Sequence, residues 1–525
     1  MSHPPTIVLA TLNAKYIHAS LGLRYLLANM GDLRPKTTLR EFTIARQAQD
    51  VANELLAIFD GPLQEPKIIG FGVYIWNVSQ TTAVVRLLKT ARPDIKIVLG
   101  GPEVSHELDP QEIVRLADYV ITGWGDLGFA RLCRALLSGI GPASKVIVGE
   151  QPPLDQVVMP YAEYSAADIA HRVLYVEASR GCPFKCDFCL SALDKTAWAF
   201  DLERFLGEMD SLYLRGARKF KFVDRTFNLK IDVTERILQF FLDRLPAAVE
   251  GNSGDGLFVH FELVPDHLPA RLKAKIAEFP PGVLQFEVGI QTFNGEVQQR
   301  ISRQQDSAKA EANLRWLVQH SNAHLHTDLI FGLPGETLES FAAGFDRLYA
   351  LGPHEIQLGL LKRLRGTPIA RHTLGHGMVY DTEPPYTVRE TGVVDAATVQ
   401  RIARFARYWE VLANSGRFKQ TLQLLLDDSP ASPFLAFLGL SDGLWQGTGK
   451  TNGLMPELLV DVLFDYLCNR HGCSPQRTRQ ALLADYVASG ARGSPEALRG
   501  ILPKRDLPMP ATRQRAQRQS RHREA

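Results

Sequence analysis

The chain has 525 residues, 45% of them hydrophobic and 22% charged, with a formal net charge of +2. That length accommodates about three or four domains of about 150 residues, and the near-neutral balance gives no reason to expect a large basic nucleic-acid surface. The opening MSHPPTIVLATLNAKY has no basic region before its short apolar run, and no stretch of about 20 uncharged apolar residues follows. A cytoplasmic protein with reduced thiols and no membrane span is therefore expected.

Residues 1–145 alternate short apolar runs with helical patterns. TIVLATL, IIGFGVYI, KIVLGG and YVITG read as strands. GLRYLLANM, QTTAVVRLLKTA and FARLCRALLSGI read as helices. This alternation predicts a doubly wound α/β domain with a parallel sheet. Ligands of such sheets bind beyond the carboxyl ends of the strands. Those ends carry Tyr74 and Trp76 in VYIWN, Gly100 and Gly101 in GGP, and Gly123, Trp124 and Gly125 in TGWGD. Glycines there serve either a close-approaching ligand or a tight turn.

Residues 146–172 hold Pro152, Pro153 and Pro160 with little periodicity and read as a linker. A second α/β series spans 173–372, with strands expected at VLYVEAS, KFKFVD, LFVHFELV, LQFEVGI, HLHTDLIFG and HEIQLGLL. Several of these have one apolar face and one bearing isolated polar groups, since strand side chains alternate. His260, Glu262, Glu287 and Gln291 lie on polar faces, and Asp224 and Asp328 lie near strand ends. An unpaired buried carboxylate is costly, so these groups line a polar cavity, as in a partial barrel, or satisfy one another in a hydrogen-bond network. Residues 373–505 are mostly helical in pattern. GTGKTNG (447–453) lacks phosphate-loop spacing and reads as a turn. The segment 506–525 reads as a disordered basic tail, with five arginines in the last fifteen residues.

The densest chemical signal is SRGCPFKCDFC at 179–189, with Cys182, Cys186 and Cys189 spaced C-x3-C-x2-C directly after an expected strand. In a reducing compartment such a group indicates metal binding or catalysis. Structural zinc needs four ligands. No fourth cysteine is near, and His171 precedes a strand that leads away from the loop. An iron–sulfur cluster held by three thiolates would leave one iron open. Cys133 reads as core, and Cys468 and Cys473 as flanking a helix end.

The C-x3-C-x2-C loop after the first strand of the second series, with Phe188 before its third cysteine, resembles the radical S-adenosylmethionine (SAM) superfamily. FVDRTFN (222–228), VGIQTFN (288–294), DLIFGLPGET (328–337) and LRGTPIA (364–370) are similar to that family's later motifs, in order. The resemblance implies a partial (β/α)6 barrel in which the three cysteines hold a [4Fe–4S] cluster. SAM would chelate the fourth iron and be cleaved to methionine and a 5′-deoxyadenosyl radical. It also implies SAM contacts from Phe188, Asp224, Glu262, Glu287 and Asp328. GGPEVS and ITGWGDLGF resemble the loops of the cobalamin-binding domain that precedes such cores in one large class, implying cobalamin contacts from Tyr74, Trp76, Gly100, Gly101, Gly123, Trp124 and Gly125. NAKYIHASLG (13–22) lacks the D-x-H-x-x-G motif, so His18 is not expected on cobalt. The C-terminal part looks like an uncharacterised domain found behind such cores.

The implied function is a cobalamin-dependent radical SAM enzyme performing methyl transfer or another radical reaction at an unactivated carbon. The substrate would be a small or unknown molecule, and the electron donor a protein such as flavodoxin or ferredoxin. The alternatives are a non-catalytic iron–sulfur and corrinoid sensor or carrier, and an RNA-modifying radical enzyme suggested by the basic tail alone.

Overall fold

The computed structural model describes residues 5–59, 66–194, 197–245, 256–427 and 432–503. The expected tail at 506–525 lies outside them. The chain forms two compact units. One comprises Met1–Glu262, Lys362–Ala370 and Tyr380–Thr387, and the other Leu263–Leu361, Arg371–Val379 and Val388–Ala525. This division falls inside the expected 173–372 segment.

The first unit opens with β1 (Ile7–Asn13), α1 (Leu21–Ala28), β2 (Thr37–Thr43), α2 (Ala48–Ala57), β3 (Ile68–Gly72), α3 (Val78–Ala91), β4 (Lys96–Gly100), α4 (Glu112–Leu116), β5 (Tyr119–Thr122), α5 (Gly128–Leu137) and β6 (Val146–Val148). The six strands form one sheet in the order β2-β1-β3-β4-β5-β6, and every pair is parallel. Strand parity divides the core. Val8, Ala10 and Leu12 pack with Val51, Leu55, Val84 and Leu88, whereas Ile7 and Leu9 pack with Leu23, Leu27 and Phe129. Burial on both faces explains why β1 reads as a continuous apolar run.

Two features of this region depart from the expected pattern. The segment 37–57 contributes a strand and a helix that its mixed composition did not announce. Thr37–Thr43 carries only two apolar side chains, Leu39 and Phe42, and is only partly buried, as an edge strand permits. The expected linker 146–172 supplies the opposite edge strand β6 and a short helix, α6 (Ala166–His171), closed by a capping box between Ser165 and Asp168. A buried charge network fastens this segment. Glu41 of β2 accepts from Arg24 Nη2 at 2.8 Å and from Arg172 Nη1 at 2.7 Å, while Arg24 also pairs with Asp168 at 2.9 Å.

The second half of the first unit holds β7 (Leu174–Val176), α7 (Leu202–Leu214), β10 (Lys219–Phe222), α8 (Ile231–Leu242) and β11 (Phe258–Leu263). Strand β10 pairs in parallel with both β7 and β11. Between β7 and α7, β8 (Ser179–Arg180) and β9 (Trp198–Ala199) form a short antiparallel pair.

In the second unit, β12 (Leu284–Gln291), β13 (His324–Phe331) and β14 (Glu355–Leu360) are parallel. They alternate with α9 (Ala270–Ala277), α10 (Gly295–Arg300), α11 (Ser307–His320) and α12 (Leu338–Tyr349). Along β12 every second residue is buried and the polar residues between them are half-buried, which is the two-faced strand the alternation predicted. Helices α13 (Ala396–Leu412), α14 (Lys419–Leu426), α15 (Pro433–Thr448), α16 (Pro456–Asp465) and α17 (Pro475–Ala488) follow. Phe345, Phe405, Trp409, Phe434 and Phe437 pack in edge-to-face and stacked pairs at their centre. The GTGKTNG stretch begins in the last turn of α15, where Gly449 is a left-handed cap. Among the described residues no helix is long and apolar enough to cross a membrane.

Candidate metal centre and cofactor cavity

The cysteine loop is held at both ends. The pair β8–β9 closes its base, Phe200 N–H donates to Ala178 O at 3.0 Å, and Cys182 N–H donates to Asp194 O at 3.2 Å. Within the loop Cys189 N–H donates to Cys186 O at 3.1 Å. Cys182 and Cys186 are buried, Cys189 is half-buried, and none of the three is in a disulfide. Burial pushes the Cys182 thiol up to about 11, with added repulsion from Cys189 and Cys186, against the lowering influence of the Phe184 amide and Arg225. Bound metal removes such a penalty by taking the thiolate form directly.

Among the described residues no three His, Cys, Asp or Glu side chains converge tightly enough for a single metal ion. A cubane has a different requirement, because each thiolate binds its own iron and the sulfurs surround the cluster. The donor set therefore suits an iron–sulfur cluster better than mononuclear zinc. His171, a possible fourth zinc ligand, is exposed at the end of α6.

Asp224 lies beneath the loop. It is 3% exposed. Its Oδ2 accepts from Ala178 N–H at 3.0 Å and its Oδ1 from Ser179 Oγ at 2.5 Å. Burial raises its carboxyl to about 7, opposed by these hydrogen bonds. Both oxygens thus fix the strand end that launches the cysteine loop. Glu262 accepts from Arg225 Nη1 at 2.5 Å, and Phe188 is half-buried. In the second unit Glu287 and Asp328 occupy half-buried positions on β12 and β13. His326 Nε2 lies 3.7 Å from Asp328 Oδ1.

A cavity of about 280 Å³ opens at the carboxyl ends of β3, β4 and β5. Its lining includes Tyr74, Gly100, Gly101, Gly123, Trp124 and Gly125. Trp76 is not in the lining. It is 48% exposed and stacks on Tyr74 with ring centres 4.4 Å apart. His18 is also outside the lining, with its Nδ1 engaged by Tyr175 Oη at 2.7 Å. Gly101 is required by the backbone, since it has φ +112° and a Cβ would fall 2.4 Å from Val73 O. At Gly100 a Cβ would meet only Ile121 O, at 3.8 Å, so that glycine leaves room in the cavity. The volume falls just below the range of about 300–1,000 Å³ usual for small-molecule pockets. It fits the tail of a corrinoid better than a whole one.

The sequence reading missed Tyr25, Asp126 and Arg180 as cavity-lining residues. Arg180 belongs to the cysteine-loop strand β8, yet its guanidinium reaches Asp126 in the loop after β5, at 3.1 Å from both carboxylate oxygens. The only local signal was its position in SRGC, two residues before Cys182.

Comparison with known proteins finds three family matches along the chain. Residues 7–133 match the B12 binding domain, residues 176–348 the radical SAM superfamily, and residues 375–522 a protein of unknown function (DUF4080). The chain thus carries, in order, matches to a B12 binding domain, a radical SAM core and an uncharacterised domain. It is 25% identical over 329 residues to the cobalamin-dependent radical SAM methyltransferase TokK of Streptomyces tokunonensis, a match covering 57% of this chain and 47% of that protein. An uncharacterised methyltransferase of Pyrococcus horikoshii is 30% identical over 208 residues, covering 34% of this chain and 45% of the relative. The chain thus spans about half the length of these curated relatives. Among solved structures, the radical SAM methyltransferase TsrM from Kitasatospora setae, bound to tryptophan and a SAM analogue, superposes with TM-score 0.56 at 18% identity, covering 73% of this chain and 79% of that one. The cobalamin-dependent SAM radical enzyme OxsB gives TM-score 0.61 at 13% identity, covering 93% and 84%. At these identities the likeness is one of fold.

Proposed function

We propose that this chain is a cobalamin-dependent radical SAM enzyme that transfers a methyl group to, or performs another radical reaction at, an unactivated carbon of a small-molecule substrate. The observation that carries this reading is a three-thiol loop and a glycine-lined strand-end cavity in one compact unit, joined through Arg180. When bound, a [4Fe–4S] cluster would supply the electron that cleaves SAM, and cobalamin would supply the methyl group. The protein's share is binding, orientation and exclusion of water.

Cys182, Cys186 and Cys189 would hold the cluster, and Phe188 would lie against the adenine of SAM. Glu262, Glu287 and Asp328 would accept from polar groups of SAM. Asp224 would contribute by fixing the strand end beneath the loop, because both its oxygens are already engaged there. Tyr74, Gly100, Gly101, Gly123, Trp124 and Gly125 would contact the corrinoid, with no imidazole from His18 on cobalt. A cytoplasmic electron donor such as flavodoxin or ferredoxin completes the proposal.

The test is anaerobic reconstitution with iron, sulfide and cobalamin, followed by reduction in the presence of SAM. Formation of 5′-deoxyadenosine, or demethylation of SAM with methyl transfer to bound corrinoid, supports an enzyme. A protein that holds both cofactors and leaves SAM intact under these conditions is a carrier or sensor.

A further inference from the structure

Arg180 is held more firmly than a cavity wall requires. Its Nε donates to Glu177 Oε1 at 2.6 Å, and its Nη1 donates to both oxygens of Asp126 at 3.1 Å. Glu177 and Asp126 are 8% and 7% exposed. Three rings surround the guanidinium: Tyr25 at 4.2 Å, Trp124 at 4.9 Å and Phe200 at 5.5 Å from ring centre to the guanidinium carbon. The plane is therefore fixed in position and orientation.

A guanidinium offers five N–H donors in a rigid fork. Here the carboxylates take Nε and Nη1, while Nη2 donates to none of the described residues. Arg180 itself lines the strand-end cavity together with Tyr25, Trp124 and Asp126. A fixed cation with a spare donor, in a cavity whose other lining is glycines, aliphatic and aromatic side chains and the Asp126 it already pairs with, is a recognition element for an oxygen acceptor. Its position in the chain adds a second consequence. Arg180 and Glu177 belong to the run that leads into Cys182, whereas Asp126, Trp124 and Tyr25 belong to the first sheet's loops and helix α1. One side chain therefore bridges the cavity and the base of the cysteine loop.

We propose that Arg180 is a corrinoid-contact residue whose Nη2 donates to an oxygen on the periphery of cobalamin, and that filling the cavity thereby steadies the cysteine loop. This inference rests on the cobalamin reading above. Two kinds of corrinoid oxygen have the required chemistry: the amide carbonyls of the ring and the phosphate of the nucleotide tail. Cobinamide, which keeps the ring amides and lacks the nucleotide tail, separates them.

The experiment uses the full chain with its cluster reconstituted, as wild type, Arg180→Lys and Arg180→Gln. Bound corrinoid is measured by equilibrium dialysis and cyanide extraction, and folding by circular dichroism. Removing Arg180 leaves two buried carboxylates unpaired. If the glutamine variant does not fold, the lysine variant, which keeps the charge without the fork, carries the test. We expect cobalamin affinity to fall at least tenfold in folded Arg180→Lys. A matching fall for cobinamide places the contact on the ring amides, and an unchanged cobinamide affinity places it on the tail phosphate. Unchanged affinity for both ligands overturns the proposal while leaving the cobalamin reading intact. Failure of the wild type to bind either corrinoid overturns both.

The link to the loop has its own readout in the rate at which a chelator strips iron. Cobalamin should slow it at least threefold in the wild type and have little effect in Arg180→Lys. Equal protection in the two proteins would overturn the link.

Discussion

Cys182 and Cys186 are buried in one short loop, and Cys189 stands half-buried beside them. Replacing any one of the three by Ala should abolish the reconstituted cluster, read as iron content and as the paramagnetic signal of the reduced form. Cys468→Ala, in the helical part of the second unit, should leave both unchanged. A Cys189→Ala protein with full iron would remove the cluster assignment. Two adjacent glycines make a second contrast. Gly101→Ala places a Cβ 2.4 Å from the Val73 carbonyl in a left-handed backbone, a strained position that costs of order 1–3 kcal/mol before the clash is counted. Gly100→Ala meets only an ordinary contact. It should therefore leave the unfolding free energy, measured by denaturant titration, within about 0.5 kcal/mol of wild type, whereas Gly101→Ala should lower it clearly.

Between elements, buried charge does what apolar packing does elsewhere in the sheet. Glu41 on the edge strand β2 accepts from Arg24, Arg172, Asn13 and the Ser20 amide. Burial alone would raise its carboxyl pKa, but the Arg24 guanidinium together with the hydrogen bonds from the Ser20 amide and Asn13 holds it below the ordinary value. Removing one partner of such a network typically costs about 3–5 kcal/mol. Glu41→Ala should therefore destabilise the first unit by roughly that amount, measured by urea unfolding. Glu336, just before α12, behaves oppositely. Burial pushes its carboxyl up to about 7 despite hydrogen bonds from Thr292 and Ser340. Between the ordinary value and 7 the folded state binds the extra proton. The group's stabilising contribution is therefore complete below about pH 4.5 and is lost as pH rises through 7. The loss is at most roughly 3–4 kcal/mol, at about 1.4 kcal/mol per unit. Urea midpoints at pH 5 and pH 8 should differ less in Glu336→Gln than in the wild type. An equal difference in both would assign the pH dependence to another group.

At the scale of the whole molecule, cofactor binding and folding are linked, because a ligand that binds only the native state stabilises it. Cobalamin at about 100 times its dissociation constant should add about 2.7 kcal/mol to the apparent stability of the first unit. The check is a shift of the far-ultraviolet melting curve that scales with the logarithm of cobalamin concentration. A curve that does not move would argue against the cavity as a corrinoid site. Much of this organisation was legible in one dimension. The apolar runs of β1, β3, β4 and β5 announced a sheet buried on both faces, because period and burial are local consequences of composition. C-x3-C-x2-C announced a metal centre, because ligands from a single loop must be close in sequence. The edge strands β2 and β6 were not legible, since an edge needs only one buried face and β6 has only three residues. Trp76 and Tyr74 are two residues apart and both aromatic, yet only Tyr74 lines the cavity, because Trp76 stacks against the Tyr74 ring and stays half exposed. Arg180, Asp126 and Tyr25 lie far apart in the chain. The sequence by itself determined which strands are buried and which thiols stand together. Only the tertiary structure decided that a guanidinium beside those thiols enters the strand-end cavity, because that meeting depends on the packing of distant segments and leaves no periodic trace in the sequence.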